Sequence, residues 1–340
     1  MKILRRTLIA LTTAALLGAG AVGSAAAADV KSRMIRFGYG LAEDTNQGRA
    51  TKRFVEEVAK LSDGKLKVRA FGAASLGSDV QMQNALIGGA QEMMVGSTAT
   101  LVGITPEMAL WDTPFLFANE KEADAVLDGP VGQKLLDKLQ EKGLVGLVYW
   151  ENGFRNLTNN KRSVNSLEDL GGIKLRVMQN NVFLETFKTL GANAIPLSFS
   201  ELFTALETQA VDGQENPFNT ILTSKFYEVQ KYLTVTNHVY SPWVMLASKK
   251  WWDGLSKDER DILLQAARSA RDFERQDTRE EAARALGELE SKGMTVNTLT
   301  EDEVQRMRDK IEPITQKVAA DVGAELWNEV QQELARVRGQ

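Results

Sequence analysis

Two arginines in the middle of the chain, Arg155 in WENGFRNLTNN and Arg176 in GIKLRVMQN, precede a polar cluster, VDGQENP, at 211–217. A guanidinium presents a rigid fork of N–H donors that meets a carboxylate bidentately. Ile173–Met178 reads as an apolar strand, so Arg176 stands near a strand's carboxyl end, where open α/β sheets bind ligands. Asn216 adds an amide from the polar cluster, while Gln214 beside it reads equally well as a structural turn residue. Gln179 follows Arg176 by three residues and is placed to donate to a ligand hydroxyl. Phe199 offers a face for ligand carbons, although a lone aromatic is more often core. His238 is the only histidine, and a lone histidine is more often a satisfied structural one. Two arginines with amides nearby are what capture of a small organic acid requires.

A second set of polar residues falls earlier, at the ends of apolar runs. GYGLAEDTNQG places Glu43, Asn46 and Gln47 just after the first strand, and Asp79 and Gln81 follow LGS. Ser97 and Thr98 end the third strand. The bland reading of each acidic residue is a solvated helix cap. Taken together, they offer more partners for hydroxyl groups than a plain dicarboxylate uses.

Catalytic alternatives are thin. No G-x-S-x-G elbow is present, and only His238 could serve a triad. GYGLAE at 38–43 lacks the third glycine of a dinucleotide fingerprint. The absence of cysteine excludes thiol chemistry and disulfides, and one histidine excludes a multi-histidine metal site. No cofactor or metal is called for. The competing class is an enzyme acting on a sugar acid through paired carboxylates such as Glu43 and Asp79.

The elements that must position these groups alternate. Met34–Gly40, Leu66–Phe71 and Glu92–Gly96 read as strands, with an amphipathic helix at Asn46–Leu61 and a second helix at Asp79–Ile87 between them. That order predicts a parallel sheet covered by helices. Leu144–Tyr149 is a near-continuous apolar run, as a strand buried on both faces should be. A second α/β unit follows, with a helix over Ser200–Thr208 capped by Ser200. Val239–Ser248 is an apolar strand predicted to return to the first lobe. Ser256-x-x-Glu259 is a capping box opening a helix that could run to about Leu289. Its middle, Glu274–Glu281, has no apolar face, as in a helix that is solvated or that bridges two domains.

Five phrases in register carry a family resemblance: NGFRNLTN, SLEDLGGIKLRV, LGANAIPLSFSELFTALET, VDGQENP and SKFYEVQKYLTVTNH. In this order they resemble the substrate-binding proteins of tripartite ATP-independent periplasmic (TRAP) transporters, over essentially the whole mature chain. The resemblance implies a two-lobed α/β periplasmic binding protein with strand exchange between lobes and a long helix bridging them. It implies lobe I from 29–152 and 240–280, and lobe II from 153–239 and 281–340. By the same resemblance Arg176 clamps a ligand carboxylate, Arg155 supports it, and Asn216, Phe199 and His238 line the pocket. The implied ligand is a sugar acid, a uronate such as D-glucuronate or D-galacturonate, with a C4-dicarboxylate such as succinate, malate or fumarate as the alternative. The implied partners are two membrane permease subunits, and the receptor is expected to be a monomer.

Composition agrees with export to the periplasm. Lys2, Arg5 and Arg6 precede the apolar stretch Leu8–Val22, and Ala26-Ala27-Ala28 offers a cleavage site, so 1–28 reads as a signal peptide. Without those three cations, 38 of the 41 basic residues remain against 45 acidic ones, a net charge of −7. This balance excludes nucleic acid as a partner, and it requires an anionic ligand to be held by locally placed cations.

Overall fold

The computed structural model describes residues 29–339, so the expected signal peptide lies outside the described residues. The first lobe opens with β1 (Arg33–Tyr39), α1 (Asn46–Leu61), β2 (Leu66–Phe71), α2 (Asp79–Gly88) and β3 (Met93–Ser97). Side-chain caps start both helices: Thr45 accepts from the Gly48 N–H, and Ser78 forms a reciprocal box with Gln81. Short 3-10 turns then lead to α3 (Glu120–Leu127), α4 (Pro130–Lys138) and β4 (Leu144–Phe154). The second lobe contains β5 (Asn156–Asn159), β6 (Lys174–Val177), α5 (Asn181–Leu190), β7 (Asn193–Pro196), α6 (Phe199–Glu207), β8 (Gly213–Asn216), α7 (Phe218–Thr223) and β9 (Tyr232–Val235). After these come β10 (Tyr240–Ser248), α8 (Lys249–Trp252), α9 (Lys257–Ser291), β11 (Thr295–Thr298), α10 (Glu301–Val322) and α11 (Ala324–Arg338).

The first sheet has the order β2-β1-β3-β10-β4 and the second β11-β9-β5-β8-β6-β7. β1 runs parallel to β2 and β3, while β10 is antiparallel to both its neighbours. The returning strand predicted at Val239–Ser248 is therefore β10, inserted between β3 and β4. Every residue of β10 is buried, as a central strand covered on both faces requires.

The lobes are joined where strands of the two sheets meet. β4 belongs to the first sheet and β5 to the second, with Arg155 alone between them. Residues 236–239 make the opposite passage, from β9 to β10. The third connection is α9, opened by the predicted Ser256–Glu259 box.

The polar middle of α9 is solvated on one side only, where Gln276 and Glu280 are exposed. Glu274 accepts the Glu151 N–H at 2.7 Å and the Thr278 hydroxyl at 2.8 Å. Arg275 pairs with Asp128 at 2.6 Å, and Arg279 with Glu151 at 2.6 Å and Asp124 at 2.8 Å. Thr278 bridges the lobes: its hydroxyl accepts from Asn46 Nδ2 at 2.9 Å and its carbonyl from Asn219 Nδ2 at 2.8 Å. The helix lacks an apolar face there because both lobes bring polar partners to it.

Two expectations about element placement need correction. The N-cap of α6 is Ser198 rather than Ser200, so the helix begins at Phe199. The C-terminal region does not stay with the second lobe: α10 packs on α5, but α11 packs on α3 and α4 of the first. Val330 and Leu334 of α11 share an apolar cluster with Trp111, Tyr149 and Val244.

Candidate functional site

Arg155 sits at the strand junction between the lobes, fully buried. Its N–H donates to the Val239 carbonyl at 2.9 Å, and its own carbonyl accepts from His238 N–H at 3.3 Å. Thus both strand passages are bonded to each other through this residue. Its fork is already engaged. Nε and Nη2 pair with the Glu215 carboxylate, Nη2–Oε1 being 2.8 Å, and Nη2 also donates to the Glu215 carbonyl at 2.6 Å. The ring of His238 continues this network, with Nε2 3.1 Å from Glu215 Oε2 and Nδ1 2.8 Å from Thr236 Oγ1. Burial alone would raise the Glu215 pKa, but the charge of Arg155 and the bond from His238 hold it below the usual carboxylate range.

Beside the junction lie two adjoining cavities between the lobes. They share Gly40, Asp79, Met178 and Phe199. Arg155, Asn216, Gln47 and Ser97 face the first; Arg176, Gln179 and Thr100 face the second.

Arg176 differs from Arg155 in one decisive way. It is buried on β6, its Nε donates to the Leu197 carbonyl at 2.8 Å, and no carboxylate pairs with it among the described residues. Its Nη1 is buried with no partner at all. Burial, reinforced by Arg155, pushes its pKa down to about 10, against the opposing pull of Glu215 and Asp79. A buried guanidinium with an unused donor facing a cavity is the environment an external anion completes.

Asp79 is the first lobe's counterpart. It is the first residue of α2, and its Oδ2 accepts the Ser97 N–H at 2.9 Å. Burial raises its pKa to about 6, opposed by that bond and by the charge of Arg176.

The structure brings Arg176, Arg155, Asn216, Gln179, Phe199, Gln47, Asp79 and Ser97 to the cavity walls. It leaves five expected residues elsewhere. Glu43 is exposed. Gln81 is exposed and spends its side chain on the Ser78 N–H, 2.8 Å away. Thr98 is buried and donates to the Pro242 carbonyl at 3.2 Å, while Asn46 turns to Thr278 on α9. His238 is the satisfied structural histidine, packed edge-on against Phe187. Gln214 is buried in β8 and bonds Thr158 at 2.9 Å, so it is neither a turn residue nor a wall residue.

Sequence reasoning missed Asn152, Thr220 and Trp243 on the first cavity. Asn152 is unpaired in a bulge of β4, where Glu151 opposes Pro242 and Gly153 opposes Ser241. Gly153 adopts a φ of +113° there, which favours glycine. The bulge re-aims Asn152 toward the cavity, where its Oδ1 accepts from the Thr220 hydroxyl at 3.0 Å. The signal available was the Asn-Gly pair interrupting an apolar strand.

A family model described as bacterial extracellular solute-binding protein, family 7 (DctP), matches residues 37–321. The chain belongs to this family. It is 36% identical over 267 residues to the 2,3-diketo-L-gulonate-binding periplasmic protein YiaO of Escherichia coli, covering 78% of this chain and 81% of that one. It is 32% identical over 295 residues to the C4-dicarboxylate-binding periplasmic protein DctP of Rhodobacter capsulatus, covering 86% and 88%. Among solved structures, the sugar acid binding protein DctPAm of Advenella mimigardefordensis, in complex with galactonate, is 54% identical with a TM-score of 0.89. That match covers 91% of this chain and 100% of that one. A family 7 solute-binding protein of this fold is a receptor for an organic acid, not an enzyme. With Glu43 at the surface, the Glu43–Asp79 pair of the competing enzyme reading does not meet in the cleft. No helix among the described residues is long and apolar enough to cross a membrane.

Proposed function

We propose that this protein is the periplasmic receptor of a TRAP transporter for a sugar acid, delivering it to two membrane permease subunits. The ligand is a six-carbon acid, a uronate such as D-glucuronate or D-galacturonate or an aldonate of the same length. The observation that carries this reading is Arg176, buried at the cavity wall with no carboxylate partner and with Nη1 unused. Its fork receives the ligand carboxylate; Asn216, Gln47 and Gln179 meet hydroxyls, and Phe199 and Met178 cover the carbon skeleton. Arg155, locked to Glu215, holds the junction in shape. Closure places groups from both lobes on one ligand, so binding and lobe position are linked.

A thermal-shift screen of uronates, aldonates and C4-dicarboxylates tests the reading. A ligand at 100 times its dissociation constant stabilises by about 2.7 kcal/mol. Sugar acids should raise the unfolding midpoint, and shifts confined to succinate or malate would transfer the receptor to the dicarboxylate class.

A further inference from the structure

Asp79 is built into the cleft with unusual care. A Cβ at Gly96 would stand 2.9 Å from its Cγ and 3.0 Å from its Oδ2, so only glycine leaves room for the carboxylate there. Gly40 is bare on the other side, with Oδ1 3.7 Å from where its Cβ would be. The Ser97 N–H fixes Oδ2, whereas Oδ1 has no hydrogen-bond partner among the described residues. Asp79 lines both cavities and shares the second with Arg176, whose charge acts on it. Glu43, Asn46 and Gln81 have left the wall, so Asp79 is the cleft's carboxylate from the first lobe.

An ionised carboxylate only accepts hydrogen bonds. Beside Arg176 it therefore faces whatever the ligand carries next to its own carboxylate. An open-chain aldonate presents a hydroxyl there, which donates to Oδ1. A pyranose uronate presents its ring oxygen at the neighbouring carbon, an acceptor opposite an acceptor. Succinate presents no hydroxyl, and its second carboxylate adds like-charge repulsion.

We infer that Asp79 is a specificity-determining residue that ranks open-chain hydroxy acids ahead of ring-closed uronates, and both ahead of unsubstituted dicarboxylates. This rests on the sugar-acid receptor reading and refines its ligand class. The test is calorimetric titration of the wild-type protein, Asp79→Ala and Asp79→Asn with D-galactonate, D-galacturonate and succinate, at mildly alkaline pH where Asp79 is ionised. Wild-type protein should prefer galactonate. Asp79→Ala should weaken galactonate roughly 10- to 100-fold, the range of a lost hydrogen bond to a charged group, while leaving galacturonate little changed and succinate unchanged or tighter. The near-isosteric Asp79→Asn, which keeps one acceptor, should fall between and carries the test if the alanine variant does not fold. Equal weakening of all three ligands would make Asp79 merely structural, and an unchanged galactonate-to-galacturonate ratio would overturn the inference while leaving the receptor reading intact. If the wild type binds neither sugar acid, the receptor reading fails and this inference with it.

Discussion

Replacing Arg176 by methionine should uncouple binding from stability, with opposite signs. The side chain keeps much of its length and loses its charge. In the ligand-free protein, burial holds the guanidinium pKa near 10 instead of 12.5, a penalty on the charged form of about 3 kcal/mol. The substitution also removes the bond to the Leu197 carbonyl, a loss of about 1 kcal/mol. The net expectation is a gain of about 2 kcal/mol, or a few degrees in the unfolding midpoint of the unliganded protein. Binding moves the other way. A ligand carboxylate left unpaired in a closed cleft costs about 2–5 kcal/mol, roughly 30- to 4000-fold in affinity. Scanning calorimetry without ligand and titration with D-galactonate and D-galacturonate measure the two halves separately. Wild-type affinity in Arg176→Met would remove Arg176 from the site. A clear drop in the unliganded midpoint would show that its burial is already compensated within the protein.

Further outcomes follow from other parts of the molecule. Glu215→Ala leaves Arg155 buried without its partner and should destabilise by about 3–5 kcal/mol; a denaturation midpoint near wild type would mean that Arg155 is not held by that pair. Asp79 has a folded pKa of about 6 against 3.8, so the folded chain holds its proton more tightly than the unfolded one. Its contribution to stability is full below the lower value and is lost as pH rises through the upper, a change of about 3 kcal/mol. Unfolding free energies across that window should therefore fall less with pH in Asp79→Asn than in wild type, and parallel curves would contradict the assignment. Small-angle scattering should show compaction on adding a sugar acid, absent in Arg176→Ala; an unchanged profile at saturation would count against large lobe closure. Uronates and aldonates should bind at least about 30-fold more tightly than succinate, because two unpaired polar groups cost about 2 kcal/mol or more, and equal affinities would return the protein to the dicarboxylate alternative.

The first lobe was legible because its signals are local. β1, α1, β2 and α2 alternate strands with side-chain-capped helices, and their ends fall within a residue or two of the expectation. In the second lobe β6 was legible from its apolar run, but β8 was not, because its residues are polar. In β8, Gln214, Glu215 and Asn216 are all buried, yet no hydrophobic period marks them. Their partners, Thr158 and Arg155, come from β5 and the strand junction, far away in sequence. Periodicity registers only what is apolar, so a buried polar strand resembles a turn. The same limit explains the site. Arg176 was found because an arginine ending an apolar strand is visible locally, whereas the choice between a ligand clamp and a strut for Arg155 depended on where Glu215 lay. His238 and Asn46 were misplaced for that reason too, each taken up by a partner that no spacing rule reveals.

The insertion of β10 between β3 and β4 also dictates an order of assembly. A chain synthesised as far as β9 already holds four of the five strands of the first sheet, yet β3 and β4 have no strand to join them. Each presents an unpaired edge until Tyr240–Ser248 emerges. Closing that sheet joins β10 to β4 about 100 residues away and to β3 about 150 residues away, contacts that are costly in loop entropy and slow to form. The first sheet is thus built from discontinuous stretches of chain. An amino-terminal fragment ending before β10 should remain aggregation-prone and unable to mature, and the two lobes should unfold together in one cooperative transition.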